Sequence, residues 1–190
     1  MSVLIESQLR ARARRATSAY KSATSVLLDH VQKQASEAGH HIFLSHAYDD
    51  RELILGVALS IEDLGYSVYL DWRDDPSLDR TNVTPGTAAT LRARMNASRC
   101  LFFSTTQHAS ESKWMPWELG FKDGNNGRAA ILPISAQATD AYQGQQYLGI
   151  YPYVTKQADT NGNQRLWIRR SRTCYVVFEE WIAGNEPTER

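Results

Sequence analysis

The residues best suited to chemistry are a glutamate and two tryptophans in the stretch Ser112–Gly120. Trp114 and Glu118 stand four positions apart, so a helix brings the indole and the carboxylate to one face, where they can line a pocket together. Ser112 is the predicted N-cap, and Pro116 fits a helix only in its first turn. The N-terminus of a helix favours anions such as phosphate and keeps a carboxylate ionised beside a cationic ligand. A structural role is the alternative, because tryptophans at helical spacing are usually core residues.

Composition excludes several classes of function. Among 190 residues, 21 Lys+Arg balance 21 Asp+Glu, so no global field attracts nucleic acid or an anionic membrane surface. Cys100 and Cys174 lie far apart and no His/Cys cluster is present, so we expect neither a disulfide framework nor a metal site. Free thiols point to the cytoplasm, and no apolar run approaches membrane-spanning length.

The N-terminal region has apolar residues at steps of three and four from Ile5 to Val31, which predicts one amphipathic helix over residues 3–36. Its stripe contains several alanines and therefore suits close packing on another helix, of this domain or of a second subunit. The arginines of its first half form a solvated face, or else mark an organellar transit peptide.

A strand, a helix and a second strand follow. The apolar run His41–His46 predicts a buried first strand, Asp49 and Glu52 have the spacing of a capping box, and Gly65 ends the helix. Ser67–Asp71 is the predicted second strand. This βαβ unit implies a parallel sheet, and such sheets bind ligands beyond the carboxyl ends of their strands. The residues expected at that functional edge are Ser45, His46, Asp71 and Trp72.

The second strand opens a long polar loop, Trp72–Pro85, of the kind that covers binding sites. Thr84 and Pro85 then begin a helix that runs to Ala97. The predicted third and fourth strands are Arg99–Ser104 and Ala129–Ile134. Beyond them we predict a fifth strand at Tyr151–Thr155, an antiparallel return at Leu166–Arg169 and a last helix at Thr173–Ala183.

With these elements in place, the chain from His41 to Ile134 resembles a TIR domain, of the bacterial branch associated with Thoeris antiphage defence. The resemblance is carried by the first strand with Asp49-Asp50 after it, by the second strand with its long polar loop, and by Trp114-x-x-x-Glu118 after the third strand. It covers about half of the chain.

The resemblance implies an α/β, flavodoxin-like, three-layer fold with a central sheet of five parallel strands in the order 2-1-3-4-5. We expect an N-terminal helical extension at residues 1–38, a TIR domain at 39–184 that includes a C-terminal edge hairpin, and a tail at 185–190. Glu118 matches the glutamate with which such domains cleave NAD at its nicotinamide–ribose bond. The residues expected to bind the substrate around it are Phe43, Ser45, His46, Asp71, Trp72 and Trp114.

The chemistry agrees with this resemblance. Nicotinamide leaves as a neutral ring and needs no general acid, while the ribose passes through a positively charged, oxocarbenium-like transition state that one carboxylate can stabilise. NAD is then a substrate, with no cofactor and no metal. If water is excluded, the ribosyl cation is attacked from within the same molecule and a cyclic ADP-ribose forms, which can signal to a downstream effector. If water enters, linear ADP-ribose results. We also expect homo-oligomers, through the TIR domain and the N-terminal helix.

Other classes of protein stay open. A non-enzymatic TIR adaptor needs no competent pocket and no Glu118. A nucleoside deoxyribosyltransferase-like N-glycosidase shares the sheet and the single glutamate but takes a free nucleoside. A phosphoryl-accepting receiver domain is excluded, because it needs an aspartate at the end of strand three, where this chain has Ser104-Thr105-Thr106.

Overall fold

Parallel strands form the centre of the fold. The computed structural model describes residues 3–19, 39–78, 84–106, 108–137, 139, 142 and 146–190. Within these residues the strands are β1 Leu4–Ile5, β2 His40–Ser45, β3 Val68–Tyr69, β4 Ser98–Thr105, β5 Ala129–Ser135, β6 Tyr153–Ala158, β7 Gln164–Arg169, β8 Cys174–Val177 and β9 Thr188–Glu189. The helices are α1 Glu6–Ala19, α2 Arg51–Glu62, α3 Asp71–Asp74, α4 Pro85–Ala97, α5 Trp114–Asn126 and α6 Phe178–Ile182.

The sheet order is β3-β2-β4-β5-β6-β7-β8-β9, with β1 attached to β5. Strands β2 to β6 pair in parallel, and β6 to β9 pair as antiparallel neighbours. The predicted α/β class is therefore confirmed, with helices on both faces of a mostly parallel sheet. The sheet is wider than the five strands predicted, because three antiparallel strands extend one edge.

Side-chain alternation along β2 divides the core into two layers. Ile42 and Leu44 face the layer that contains α2, whereas Phe43 faces the layer that contains α4 and α5. All three side chains are buried, as in a parallel strand covered on both faces. The side of β2 that carries Phe43 also carries Ser45, two residues on, so Ser45 faces α5.

The N-terminus differs from the prediction. Residues 3–5 were predicted to be helical, but Leu4 and Ile5 form a strand that pairs in parallel with Ile134 and Ser135. The helix begins at Glu6 and packs on α2, where Gly56 lets it approach so closely that an added Cβ would lie 2.0 Å from the carbonyl oxygen of Leu9. Residues 20–36 of the predicted helix lie outside the described residues. The division into 1–38, 39–184 and 185–190 stays a prediction.

The predicted capping box before α2 does not form. A single 3-10 turn, Tyr48–Asp50, precedes α2, and neither it nor α2 has a side-chain cap. Glu52 instead contacts Arg14 of α1 at 3.3 Å. The carboxylate of Asp50 accepts a hydrogen bond from His108. Glu52 of the predicted capping box is thus used in a contact between helices, and Asp50, next to the predicted cap Asp49, joins this turn to the segment after β4.

The long loop after β3 begins with a helical turn. Asp71, predicted to end the second strand, starts the helical turn α3, and Arg73 is buried there. Its guanidinium donates to Glu62 at 2.7 Å, to Asp74 at 3.0 Å and to the carbonyl of Val68. Residues 79–83 of the loop lie outside the described residues. The helix after the loop is confirmed, with Thr84 accepting a hydrogen bond from the Thr87 amide.

In the C-terminal part of the chain, the predicted hairpin is confirmed and the predicted last helix is shorter than expected. β7 returns antiparallel to β6, as predicted. The predicted helix at Thr173–Ala183 is wrong in its first half, because Cys174–Val177 pairs with β7 and only Phe178–Ile182 is helical. The β-branched and aromatic residues of this segment favour the extended conformation. No helix among the described residues is long and apolar enough to cross a membrane.

Candidate active site

Ser45 and Glu118 meet where β2 ends and α5 begins. The hydroxyl of Ser45 donates a hydrogen bond to Oε2 of Glu118 at 2.6 Å. Ser104, on the neighbouring strand β4, donates to the carbonyl of Ser45 at 2.7 Å and so fixes the last residue of β2. The structure therefore brings together two of the predicted site residues that lie far apart in the sequence.

Glu118 is fully buried, with 0% of its surface exposed. It lies one turn beyond the start of α5, between the buried residues Met115 and Leu119. The N-cap of α5 is Lys113, which has no side-chain cap, rather than the predicted Ser112; the hydroxyl of Ser112 accepts from the amide of Met115 at 3.3 Å. Burying a carboxylate is costly unless its oxygens are hydrogen-bonded, and a bond to an ionised acceptor is among the strong ones. Ser45 supplies such a bond.

His46 and Asp71 connect the ends of β2 and β3. Nδ1 of His46 lies 2.8 Å from the carbonyl of Leu44, which can only accept, so this nitrogen carries the proton. Nε2 lies 3.3 Å from Oδ1 of Asp71, and the same oxygen accepts a hydrogen bond from the amide of Trp72 at 2.8 Å. Both side chains are buried. This pair ties together two strand ends at the functional edge of the sheet.

The predicted aromatic residues lie in three different places. Phe43 is in the core, with its ring stacked on Tyr69 at 5.1 Å. Trp72 packs on the opposite face of the sheet from Glu118, against alanines of α1 and leucines of α2. Trp114 is partly buried beside the core layer of α5, with its ring edge-on to Trp117 at 5.4 Å. Of these rings, only Trp114 lies on the same helix as Glu118.

A cavity of about 540 Å³ opens near the hydrogen-bonded pair Ser45 and Glu118. This volume is typical of small-molecule sites. Its walls come from the end of β4, the loop and start of α5, and the segment after β5. None of the seven predicted site residues lines it. Phe103 is the cross-strand neighbour of Ser45, and Pro116 lies in the first turn of the helix that carries Glu118, so the cavity lies at the same end of the sheet as this pair. The lining is uncharged: Phe103, Thr105, Thr106, Ala109, Ser110, Pro116, Tyr142, Gln146, Tyr147 and Leu148.

The residues after β5 were not predicted as part of a site. Tyr142, Gln146 and Tyr147 give the cavity two phenol rings and an amide, which suit a planar heterocycle with polar edges. A signal was present in the sequence, since this aromatic and glutamine-bearing segment follows the carboxyl end of a parallel strand. The apolar residues of this segment have neither helical nor strand periodicity, so the sequence did not predict where the segment lies.

A second polar pair lies at the same edge. Nδ1 of His108 lies 2.9 Å from Oδ1 of Asp50, joining the loop after β4 to the turn after β2. The hydrogen bond to Asp50, followed by the charge of that carboxylate, raises the pKa of His108. Neither Asp50 nor His108 was predicted from the sequence to be a site residue.

The loop after β3 is anchored next to α4. The carboxylate of Asp75 accepts from the hydroxyl of Tyr69 at 2.8 Å and from two nitrogens of Arg94 at 2.7 Å each. Partial burial raises the pKa of Asp75, but the bonds from Arg94 and Tyr69 outweigh it and the pKa lies below its ordinary value. The start of the loop is therefore fixed on both of its sides.

Comparison with known proteins gives two relatives, while no family model matches the chain. The chain is 47% identical over 148 residues to the "Probable 3' cyclic ADP-D-ribose synthase ThsB'" of Bacillus cereus (strain MSX-D12), covering 77% of each chain. It is 31% identical over 83 residues to the "Putative cyclic ADP-D-ribose synthase TIR2" of Cytobacillus dafuensis, covering 43% of this chain and 22% of that relative.

Proposed function

We propose a function from the premise that this chain belongs to the TIR family, in the branch of the Thoeris cyclic ADP-D-ribose synthases. The protein cleaves NAD at the bond between nicotinamide and ribose and acts in antiphage defence. Both relatives are named for the synthesis of cyclic ADP-D-ribose, a product that requires this cleavage. The observation that carries the proposal to particular residues is the hydrogen bond of 2.6 Å between Ser45 and Glu118.

In the proposed mechanism, Glu118 stabilises the positive charge that develops on the ribose as nicotinamide departs. Nicotinamide leaves with the electron pair of the broken bond and is neutral, so the leaving group needs no proton. A carboxylate that is already oriented stabilises the charged transition state without having to reorganise. Ser45 keeps one oxygen of Glu118 in place. Because Glu118 is buried, its neighbours must move aside before the ribose can reach it.

We assign the adenosine half of NAD to the cavity beside Glu118. Its uncharged lining of tyrosines, threonines and a glutamine supports binding of a neutral planar base. Trp114 stays a candidate for contact with the nicotinamide end, since it shares a helix face with Glu118. His46 and Asp71 hold the strand ends in this proposal, and Phe43 and Trp72 support the fold from the core.

We further propose that the product is cyclic, with the 3' linkage in the name of the relative that is 47% identical. A cyclic product forms when the site excludes water and a hydroxyl of the same molecule reaches the ribosyl cation. Such a product is a diffusible signal for a separate effector. The proposed compartment is the cytoplasm, supported by the free thiols of Cys100 and Cys174.

The test is Glu118→Gln, which keeps the shape of the side chain and removes its charge. We expect the rate of nicotinamide release from NAD to fall about a hundred- to a thousandfold, the usual cost of one preorganised electrostatic stabiliser. The matched control is Glu180→Gln, at an exposed position of α6, with the wild-type rate expected. If the Glu118 variant and the wild type turn over NAD at the same rate, the enzymatic role of Glu118 is wrong and an adaptor function gains support.

A further inference from the structure

Asp50 is a buried carboxylate that the proposed cleavage step does not use. Only 7% of the residue is exposed, and Oδ1 lies 2.9 Å from Nδ1 of His108. Its other oxygen, Oδ2, is buried and has no hydrogen-bond partner among the described residues. A buried carboxylate is normally paired, and a buried oxygen without a hydrogen-bond partner calls for an explanation. The group paired with Asp50 is the imidazole of His108.

His108 belongs to a segment whose neighbouring residues line the cavity. Thr105 and Thr106 precede it, Ala109 and Ser110 follow it, and all four line the cavity. The side chain of His108 is 39% exposed, so its ring is held at one end and open to solvent at the other. Thr106 carries a second buried oxygen without a partner among the described residues. Two buried oxygens next to His108 in the chain or in space, Oδ2 of Asp50 and Oγ1 of Thr106, therefore have unused hydrogen-bonding capacity within the part of the chain that the structure describes.

The pairing decides which nitrogen of His108 can act. A carboxylate only accepts hydrogen bonds, so the proton of a neutral imidazole sits on Nδ1, between the ring and Asp50. Nε2 then carries the lone pair and can accept a proton. This is the arrangement by which an aspartate fixes the tautomer of a general-base histidine in many hydrolases.

We propose that His108, oriented by Asp50, is the general base that takes the proton from the ribose hydroxyl that closes the cyclic product. This inference rests on the proposed function. In the step, the bond between ribose C1 and the nicotinamide nitrogen breaks and its electron pair leaves with nicotinamide. A hydroxyl oxygen of the adenosine ribose bonds to the same carbon, and its proton passes to Nε2 of His108 and then to solvent. One NAD⁺ gives one nicotinamide, one cyclic ADP-ribose and one proton.

The charges around the ring give the step a pH dependence. The pKa of His108 is raised by three carboxylates. The hydrogen bond to Asp50 has the largest effect, followed by the negative charges of Asp50, Glu111 and Asp49. Only the neutral ring can accept the proton. Formation of the cyclic product is therefore lost as pH falls through this raised pKa, at a higher pH than for an isolated histidine.

The first experiment follows both products of the purified full-length protein with NAD by mass spectrometry, which separates cyclic from linear ADP-ribose by the mass of one water. His108→Gln should lower the ratio of cyclic to linear product about a hundredfold or more, since a general base typically contributes about a hundred- to ten-thousandfold. Nicotinamide release should change far less. The matched control is His40→Gln, at the opposite end of β2, with the wild-type ratio expected.

The second experiment measures that ratio against pH in the variant Asp50→Asn. Asparagine can still accept the hydrogen bond from Nδ1, but it lacks the charge that raises the pKa of His108. We expect the pH midpoint of cyclic product formation to move down relative to the wild type. A role of Asp50 in folding alone would lower activity at every pH and leave the midpoint where it was.

The outcomes separate this inference from the proposed function. A wild-type protein that releases no nicotinamide contradicts NAD cleavage itself. A wild type that cleaves NAD but gives only the linear product overturns the inference and leaves cleavage intact. The inference is also overturned if His108→Gln reduces both products equally, or if Asp50→Asn leaves the pH midpoint unchanged. Circular dichroism of each variant shows whether it is folded.

Discussion

Ser45 is the residue that holds the proposed catalytic carboxylate. Its hydroxyl donates to Glu118 inside the protein, where a hydrogen bond to a charged group contributes about 1.5–3 kcal/mol. We predict that Ser45→Ala lowers the rate of nicotinamide release about ten- to a hundredfold, because the carboxylate is no longer fixed under the ribose. The measurement is kcat for nicotinamide release at saturating NAD.

The control for this prediction is Ser104→Ala. Ser104 also makes a buried hydrogen bond, but to the backbone carbonyl of Ser45 rather than to the carboxylate of Glu118. We expect it to cost stability without a comparable loss of kcat. If the two variants lose activity equally, Ser45 supports the fold of the strand end and not the position of Glu118.

The sequence predicted that Ser45 and Glu118, the proposed centre of the site, come together, but it did not predict which residues line the cavity near them. Strand ends of a parallel sheet and a helix start are enough to bring Ser45 and Glu118 to the same edge. The position of Trp72 depends on the helical turn α3, which Arg73 fixes through an ion pair with Glu62 of α2 and a hydrogen bond to the carbonyl of Val68. Neither contact follows from a local sequence pattern. The alternation of side chains along β2 predicts on which side of the sheet Phe43 lies. The stacking of its ring on Tyr69 depends on how the folded core packs and could not be predicted.

At the scale of elements, the packing of α1 on α2 depends on Gly56. We predict that Gly56→Ala destabilises the protein by about 1–3 kcal/mol, because the added methyl group collides with the backbone of Leu9, which cannot turn away as a side chain can. Urea denaturation followed by circular dichroism measures the loss. The better helix propensity of alanine offsets part of it.

Gly120→Ala in α5 is the matched control. A Cβ at Gly120 would meet no atom within 4 Å, so only the propensity gain remains. We expect an increase in stability of about 0.5–1 kcal/mol. Equal changes in the two variants would mean that α1 does not press on Gly56 in solution.

The same pair of helices is joined by an ion pair that should respond to acid. Arg12 donates to both oxygens of Asp63, at 2.7 and 2.9 Å, and these bonds lower the pKa of Asp63. A carboxyl group whose pKa is lowered by folding stabilises the protein at pH values above about 4, the pKa of an unfolded aspartate. This stability is lost as pH falls through the folded-state pKa of the group. Half of the Asp63 side chain is exposed, so the contribution is no more than about 1 kcal/mol.

We therefore predict that Asp63→Asn is slightly less stable than the wild type at neutral pH and that the difference vanishes in acid. Urea denaturation at a series of pH values measures it. A difference that persists below the folded pKa of Asp63 would contradict the assignment and point to a packing effect.

Element types were predictable where local patterns agree with the tertiary fold. α4 has its cap, its first-turn proline and its apolar residues in register, and it forms as predicted. β1 could not be predicted, because Ile5 continues the helical period of α1 and becomes part of a strand only by pairing with the distant β5. β8 was taken for helix for a similar reason, since its pairing with β7 overrides a short helical pattern.

For the whole molecule, the predicted homo-oligomer remains a prediction. Part of the apolar stripe thought to mediate it, Leu9, Ala13 and Ala16, is buried on this chain's own domain. Deleting residues 1–38 is consequently a poor test, since it removes residues of the hydrophobic core. A better test of oligomer formation follows from the burial of Glu118, because the groups that cover this residue must move before NAD can reach it.

We predict that specific activity rises with protein concentration, because contact between copies displaces the groups that cover Glu118. Rates of nicotinamide release are measured over a dilution series, with light scattering on the same samples to give oligomer size. The rise should follow the appearance of oligomers. Activity that is independent of concentration, in a sample that stays monomeric, would mean that one chain opens its own site.

Leu4 leaves the ribosome long before Ile134, its partner across β1 and β5. At ordinary rates of translation, on the order of ten seconds pass between the two. During this interval α1 can already dock on α2, but the strand ahead of it has nothing to pair with and its apolar side chains stay uncovered. A nascent chain arrested before β5 should therefore be cut by protease near its amino terminus, and one arrested after β5 has emerged should resist.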